Sequence, residues 1–162
     1  MSWLPDNFNE PQAGSYFKPL KGKQNRVRII SEKPLLGHIQ WTEDNKPVRW
    51  KLDDTRPVAN FRADTKPKLF IACAVWNYEE RAVQVWEITQ RSLQESLHLL
   101  TKDKDFGPPV NYDLKITRKG DGLETTYSMV PMPGEMNDDV QNAIAELRVN
   151  LEALLNGEDP FA

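Results

Sequence analysis

The sequence is poor in the residues that build disulfides and metal sites. Among its 162 residues are one cysteine, Cys73, and two histidines, His38 and His98. A single cysteine excludes an internal disulfide framework and any zinc site with several cysteine ligands. Neither histidine has a cysteine or another histidine at ligand spacing. We therefore predict no metal and no cofactor.

Motifs for nucleotide chemistry and catalysis are also missing. The sequence contains no P-loop and no G-x-G-x-x-G. Asp113-Leu-Lys115 matches the end of a nuclease motif, but polar and apolar residues that alternate along a strand produce this pattern freely. We expect no enzymatic activity.

Long apolar runs are absent as well. No stretch of about 18 apolar residues exists, so we expect no membrane-spanning helix. Residues 1–17 lack the basic start and the apolar block of a signal peptide. These features favour a cytoplasmic protein.

Charge is distributed unevenly, although the net charge is only −3. Residues 15–70 carry 13 Lys and Arg against 6 Asp and Glu, a net charge of +7. Residues 135–162 carry 1 basic residue against 7 acidic ones, a net charge of −6. This asymmetry favours a polyanionic partner, with an acidic tail that mimics or opposes it. Removal of residues 135–162 is therefore expected to tighten binding.

The hydrophobic pattern predicts a mainly β chain with the order strand, strand, strand, helix, strand, strand. This is the order of a five-stranded Greek-key OB barrel, here with a long loop between strands 1 and 2 and a C-terminal helix. The predicted domains are an extended arm over 1–22, an OB domain over 23–134 and an acidic helix and tail over 135–162. The predicted strands are 25–30 continuing into 37–41, 69–78, 81–89, 112–118 and 123–130; the predicted helices are 91–102 and 137–155; residues 42–67 form the long loop, with a short strand near 47–52, and 157–162 a free tail.

A hairpin joins the second and third predicted strands. If Tyr78 pairs with Arg81 at its turn, Cys73 faces Trp86 on the inner side of the sheet. A slip of one residue would place Val85 there in place of Trp86.

The outer face of the second strand carries Phe70, Ala72, Ala74, Trp76 and Tyr78. Large aromatic side chains with small ones between them leave slots for unstacked bases, and stacking contributes roughly 1–3 kcal/mol per base. This face predicts binding of single-stranded nucleic acid. Alternatively, the C-terminal helix or the N-terminal arm covers the row.

Basic residues lie beside this face, in the long loop, on the outward side of the first strand and near the last hairpin turn. In the loop they are interleaved with further aromatic residues. The candidate DNA-binding residues are Arg26, Arg28, Trp41, Lys46, Arg49, Trp50, Lys51, Arg56, Phe61, Arg62, Lys66, Lys68, Phe70, Trp76, Tyr78, Lys115 and Lys119.

Two segments resemble a known family. The stretches 68-KLFIACAVWNYEERAVQVWEITQRSLQESL-97 and 112-YDLKITRKGDGLETTYSMVP-131 are similar to phage-encoded single-stranded DNA-binding proteins with an OB fold. The resemblance implies a protein that coats and protects single-stranded DNA during phage replication or recombination, in the cytoplasm of an infected bacterium. Such proteins often have acidic C-termini that occupy the DNA groove when DNA is absent.

The end of the chain resembles the acidic tail of bacterial single-stranded DNA-binding proteins, which recruits replication and repair enzymes. Those tails close with Pro-Phe, whereas here Ala162 follows. The candidate partner-binding residues are Glu158, Asp159, Pro160 and Phe161.

Two other functions fit the sequence. An OB scaffold could serve as a protein-interaction module, because a fold does not determine a function. The ligand could also be RNA or duplex DNA, although duplex presents no free base faces. A monomer is the default expectation.

Overall fold

In the computed structural model of the chain, which describes Trp3 and residues 15–162, seven antiparallel strands form one sheet. The predicted mainly β architecture is confirmed. The first predicted strand is divided into two, and the short strand predicted near 47–52 in the long loop is confirmed. The strands are β1 (Gln24–Ile29), β2 (Leu35–Trp41), β3 (Pro47–Lys51), β4 (Lys68–Asn77), β5 (Ala82–Ile88), β6 (Asp113–Lys119) and β7 (Thr126–Met132); the α-helices are α1 (Arg91–Lys102) and α2 (Asp138–Ala145); short 3-10 helices cover Pro109–Asn111, Gly122–Glu124 and Leu151–Asn156.

The long strand β4 organises the sheet. It pairs with β5 along one edge, and β1 and β2 share its other edge. The sheet continues from β2 to β3 and from β1 through β6 to β7. Every ladder between these strands is antiparallel.

The sheet is open, which differs from the predicted closed barrel. Among the described residues no ladder joins β5 to β7. The N-terminal segment occupies the free edge of β5 instead: the Phe17 amide donates to the Val85 carbonyl and the Val85 amide to the Ser15 carbonyl, both at 2.8 Å. Since a strand has only two edges, β7 cannot pair with β5 at this position.

The predicted hairpin register is confirmed. Cys73 lies opposite Trp86 and Ile71 opposite Ile88. Cys73 and Trp86 are buried on the inner face of the sheet, and burial raises the pKa of the Cys73 thiol to about 12. The structure decides between the two registers that the sequence left open, since a slip would have turned Trp86 outward.

Helix α1 closes the inner core and has the predicted bounds. Leu93 and Leu97 are buried against the inner faces of the strands. Gln90 precedes the helix without a side-chain cap, and Glu95 pairs with Arg91. Neither α1 nor α2 has the length and apolar composition that a bilayer-spanning helix requires, and these are the α-helices of the described residues.

The predicted helix over 137–155 is wrong in its length. Helix α2 begins after Asn137, whose side chain accepts a hydrogen bond from the Val140 amide at 2.9 Å. It ends at Ala145, and the chain resumes a helical path only in a 3-10 helix. Ile144, near the end of α2, is 36% exposed.

The predicted free tail is also wrong. The Asn150 amide donates to the Pro160 carbonyl at 2.8 Å, and the Glu158 amide donates to the Ala153 carbonyl at 3.0 Å. Pro160 is buried. The end of the chain therefore folds back on the 3-10 helix, and we call residues 135–162 the C-terminal segment.

Candidate nucleic-acid interface

The outer face of β4, which was expected to present a row of aromatic plates, is largely covered. Phe70, Ala72 and Ala74 are fully buried, whereas Trp76 and Tyr78 are half-buried. The alternative interpretation, in which the C-terminal segment covers this row, is confirmed. The slots between the rings are therefore filled by protein in this structure.

The C-terminal segment contacts the outer face in two places. Val140 of α2 packs in one apolar cluster with Ile30 and Ala74. Leu154 packs in a second cluster with Phe70, and Phe161 lies against the same cluster. The segment therefore divides its apolar contacts between two clusters on the sheet.

Glycine at position 37 allows Phe70 to lie flat against β2. A Cβ atom on Gly37 would be 2.8 Å from the Phe70 ring and 2.3 Å from the Trp50 carbonyl oxygen. Both separations are too short for any larger residue without a shift of β2 or of the ring. The absence of a side chain at Gly37 therefore sets how closely the Phe70 ring can approach β2.

Ion pairs join the acidic C-terminal segment to cations beside the outer face. Lys51 Nζ lies 3.2 Å from Glu152 Oε1, and Arg81 lies 3.6 Å from Asp139 Oδ2. All four side chains are substantially exposed. The segment thus combines apolar contacts on the face with carboxylates at its margin.

Arg28 does not point outward as predicted. Its side chain is 2% exposed, and its guanidinium donates to Asp113 Oδ1 at 3.3 Å and to the Val110 carbonyl at 3.1 Å. Asp113 is itself buried, and it also pairs with the half-exposed Arg26 at 2.6 Å. Because a buried charge needs a partner, Arg28 and Asp113 form a structural pair.

Tyr78 belongs to this same network. Its hydroxyl donates to Asp113 Oδ1 at 2.7 Å, and the Arg26 guanidinium lies 5.3 Å from its ring centre. Burial, together with the hydrogen bond to Asp113, raises the pKa of Tyr78 to about 12. Lys115, another predicted contact, lies on β6 opposite Arg26.

Two predicted aromatic contacts build the β2–β3 region instead of facing solvent. Trp50 is buried, with its ring centre 5.8 Å from that of His38 and 6.1 Å from that of Phe61. The Arg56 guanidinium lies 5.0 Å above the half-buried Phe61 ring. Trp41, at 41% exposure, is the predicted loop aromatic that remains open.

Some of the predicted cations are already paired. Arg49 forms an ion pair with Glu87 and Arg62 with Asp64, each at 2.8 Å. Within residues 15–162, several exposed cations of the predicted site form no ion pair with a carboxylate. These are Lys46, Lys66, Lys68 and Lys119.

A separate cleft of about 830 Å³ lies between β5, the β6–β7 hairpin and the N-terminal segment. Its lining includes residues from all of these elements and from the β2–β3 hairpin. We call it the seam cleft, and its chemically relevant side chains are Tyr16, Lys18, Trp41, Arg49, Glu87, Gln90, Arg118 and Tyr127.

Most of the seam cleft was not predicted from the sequence. Trp41 and Arg49 were candidate contacts, but Lys18, Gln90 and Arg118 were not. Arg118 and Tyr127 are register partners in the last hairpin, so the turn signal between them was the available clue. The N-terminal segment gave no comparable signal, because only its pairing with β5 brings it to the cleft.

The C-terminal segment reaches the rim of the seam cleft. Burial raises the pKa of Tyr16; Arg49 opposes this rise, and Glu87 and Asp159 add to it. Asp159 of the tail is therefore close enough to act on a residue that lines the cleft.

Comparison of the chain with protein-family models, with curated proteins and with solved structures finds no match. The functional argument therefore depends on the geometry described above.

Proposed function

We propose that this chain binds single-stranded DNA with little sequence preference, on the outer face of β4 and β5 and the basic β2–β3 region beside it. The role is to coat and protect the strand in phage replication or recombination, in the bacterial cytoplasm. One observation carries the proposal: an acidic segment of net charge −6 lies on the aromatic face and pairs with cations at its margin.

A DNA strand carries the same two features as the C-terminal segment, namely negative charge and flat apolar surfaces. On the outer face, Phe70, Trp76 and Tyr78 would stack with bases once the segment has moved away. The exposed Lys46, Lys66 and Lys68 would contact phosphates. Stacking contributes about 1–3 kcal/mol per base, which would offset the loss of the segment's own contacts.

The strand order supports an OB-type scaffold. If β1 and β2 are counted as one bent strand, β5, β4, β1, β6 and β7 lie side by side in that order. The OB barrel has the same order of neighbours, in which these strands are numbered 3, 2, 1, 4 and 5 along the chain. Only the ladder that would close the barrel differs. In OB folds, oligonucleotides bind on strands 2 and 3, which here correspond to β4 and β5.

The first test is a titration of the intact protein with dT oligomers of increasing length at two salt concentrations, followed by tryptophan emission. We expect saturable quenching that weakens with salt, because phosphate contacts release counterions. Duplex DNA and RNA of equal length serve as competitors. Absence of quenching at low salt would contradict the proposal, and stronger competition by RNA or by duplex would reassign the ligand.

Charge variants connect this binding to the predicted surface. Lys66→Gln and Lys68→Gln should each lower affinity and reduce the slope of log affinity against log salt by about 0.7. Lys102→Gln on α1 removes one exposed charge elsewhere and should change neither. Equal effects of all three variants would indicate nonspecific attraction and would contradict a site on this surface.

Protein docking is a second candidate function. The observation that favours it is that the outer face already holds an apolar protein segment that ends in Pro160 and Phe161. Replication or recombination enzymes could bind the tail released from this face. Retention of such an enzyme by a protein that shows no DNA binding would favour this alternative.

A further inference from the structure

The seam cleft adjoins the outer face, with which it shares Glu87, and the proposed function gives it no role of its own. Its floor includes Trp86, which belongs to the inner core, and its walls come from four separate parts of the chain. Its volume of about 830 Å³ is within the range of about 300–1,000 Å³ that small-molecule sites occupy. The cleft is therefore large enough to hold a ligand.

Two polar atoms of the cleft side chains have no hydrogen-bond partner. These are Arg118 Nε, a donor, and Gln90 Oε1, an acceptor, and both atoms are buried. Buried polar atoms in folded proteins are nearly always hydrogen-bonded. Because both side chains line the cleft, a ligand that turns them toward itself and carries both an acceptor and a donor would satisfy this donor and this acceptor.

The other side chains of the cleft limit the class of ligand that the cleft can bind. Trp41, Tyr16 and Tyr127 offer flat surfaces. Three cations, Lys18, Arg49 and Arg118, line the cleft. They are opposed by Glu87, which pairs with Arg49, and by Asp159 at the rim, so the cleft keeps one positive charge in excess. A planar ligand with hydrogen-bonding edges and a negative charge fits these features.

We propose that the seam cleft holds a single nucleotide of the bound strand, with its base against Arg118 and Gln90 and its phosphate near Lys18. A base edge presents acceptors beside donors, which matches the two open atoms. The proposal rests on the proposed function, because the nucleotide belongs to the bound strand. It adds a base preference at one position to binding that is otherwise tolerant of sequence.

Mononucleotides test the cleft without the outer face. Titration of the intact protein with dTMP, dCMP, dAMP and dGMP, each followed by tryptophan emission and by calorimetry, should show saturable binding of at least one of them. Inorganic phosphate alone should not compete at equal concentration. Arg118→Met and Gln90→Leu should each weaken this binding about tenfold.

Controls separate loss of the site from loss of the fold. Lys104→Met removes a cation outside the cleft and should leave mononucleotide affinity unchanged. Arg118→Met and Gln90→Leu should have unfolding midpoints no lower than that of the parent, because the two open atoms bond to nothing in the protein. A base-dependent loss of affinity in a fully folded variant supports the cleft assignment.

A second experiment locates the nucleotide within a strand. An abasic position is moved along a dT oligomer, and one position should reduce affinity in the parent but not in Arg118→Met. The cleft assignment is overturned, and the proposed function stands, if three results occur together: the oligomer binds, no mononucleotide binds, and Arg118→Met leaves every affinity unchanged. If neither oligomer nor mononucleotide binds, both are overturned. If mononucleotides bind and the oligomer does not, placement of the nucleotide in a strand is overturned.

Discussion

Lys51 of β3 and Glu152 of the C-terminal segment form an ion pair, with 3.2 Å between Nζ and Oε1. Lys51 was predicted from the sequence to contact DNA, and the carboxylate that reaches it comes from the acidic end of the chain. The two side chains are 48% and 66% exposed, so the pair contributes little to folding stability. In the proposed function, its role is to compete with phosphate for the cation.

Neutralisation of this carboxylate should strengthen DNA binding. Glu152→Gln frees Lys51 for phosphate, and we expect higher affinity for dT oligomers at low salt and a smaller gain at high salt. The free energy of unfolding should change by less than about 0.5 kcal/mol. Asp105→Asn, which removes an exposed charge near the end of α1, is the matched control. The same gain in both variants would show that only net charge matters.

Weakening of the apolar contacts of the C-terminal segment should also expose the outer face. Leu154→Ala removes a buried side chain that packs against Phe70, and Leu→Ala changes in cores cost about 2–5 kcal/mol. Part of this cost should appear as release of the segment, which raises DNA affinity. Binding is measured by fluorescence titration and segment release by amide hydrogen exchange over residues 136–160.

Leu93→Ala in α1 is the control for that experiment, because Leu93 is equally buried but lies in the inner core. It should lower the unfolding temperature without raising DNA affinity. If Leu154→Ala destabilises the protein and leaves affinity unchanged, the segment does not compete with DNA.

Alkaline pH should destabilise the protein through ionisation of the Cys73 thiol and the Tyr78 hydroxyl. The pKa of Cys73 is raised from 9.0 to about 12 and that of Tyr78 from 10.0 to about 12. Each group is neutral in the folded state at a pH where the unfolded chain has already lost the proton. The stabilisation is therefore complete below pH 9 and is lost as the pH rises to about 12.

Tyr78→Phe isolates one of these two contributions. The variant should show a shallower fall in its urea midpoint between pH 10 and 12, while the fall that begins near pH 9 from Cys73 remains. Parallel profiles of parent and variant would contradict the assignment to Tyr78.

Gly37→Ala should destabilise the sheet because the added Cβ would meet the Trp50 carbonyl oxygen and the Phe70 ring. Overpacking of this kind costs about 1–3 kcal/mol in the free energy of unfolding. Gly134→Ala is the control, since its Cβ would have no neighbour within 4 Å. Equal stability of the two variants, measured by urea unfolding, would contradict the close approach.

Elements with a strong local period were predicted correctly. Helix α1 has the predicted bounds, and Cys73 lies opposite Trp86 as expected. In both cases, the pattern of apolar residues decides which large side chains are buried. Any other arrangement would expose these side chains to water at a high cost in free energy. The short strand β3 was expected near 47–52 and covers Pro47–Lys51.

Elements whose environment comes from distant residues were predicted less well. Arg28 alternates with apolar residues and was placed outward, but Asp113 supplies a buried partner from 85 residues away. The C-terminal stripe predicted one long helix, whereas its side chains divide between two clusters on the sheet. The seam cleft depends on the N-terminal segment, whose pairing with β5 has no local signature.

The sequence by itself determined the mainly β class, helix α1 and the separation of a basic body from an acidic end, and it reduced the hairpin register to two alternatives. These follow from periodicity and charge, which act over a few residues. Only the tertiary structure decided which cations are free, which aromatic side chains are covered and that a cleft exists beside β5. Each of these depends on contacts between residues far apart in the chain, because burial and ion pairing are properties of the packed sheet and its cover rather than of any one segment.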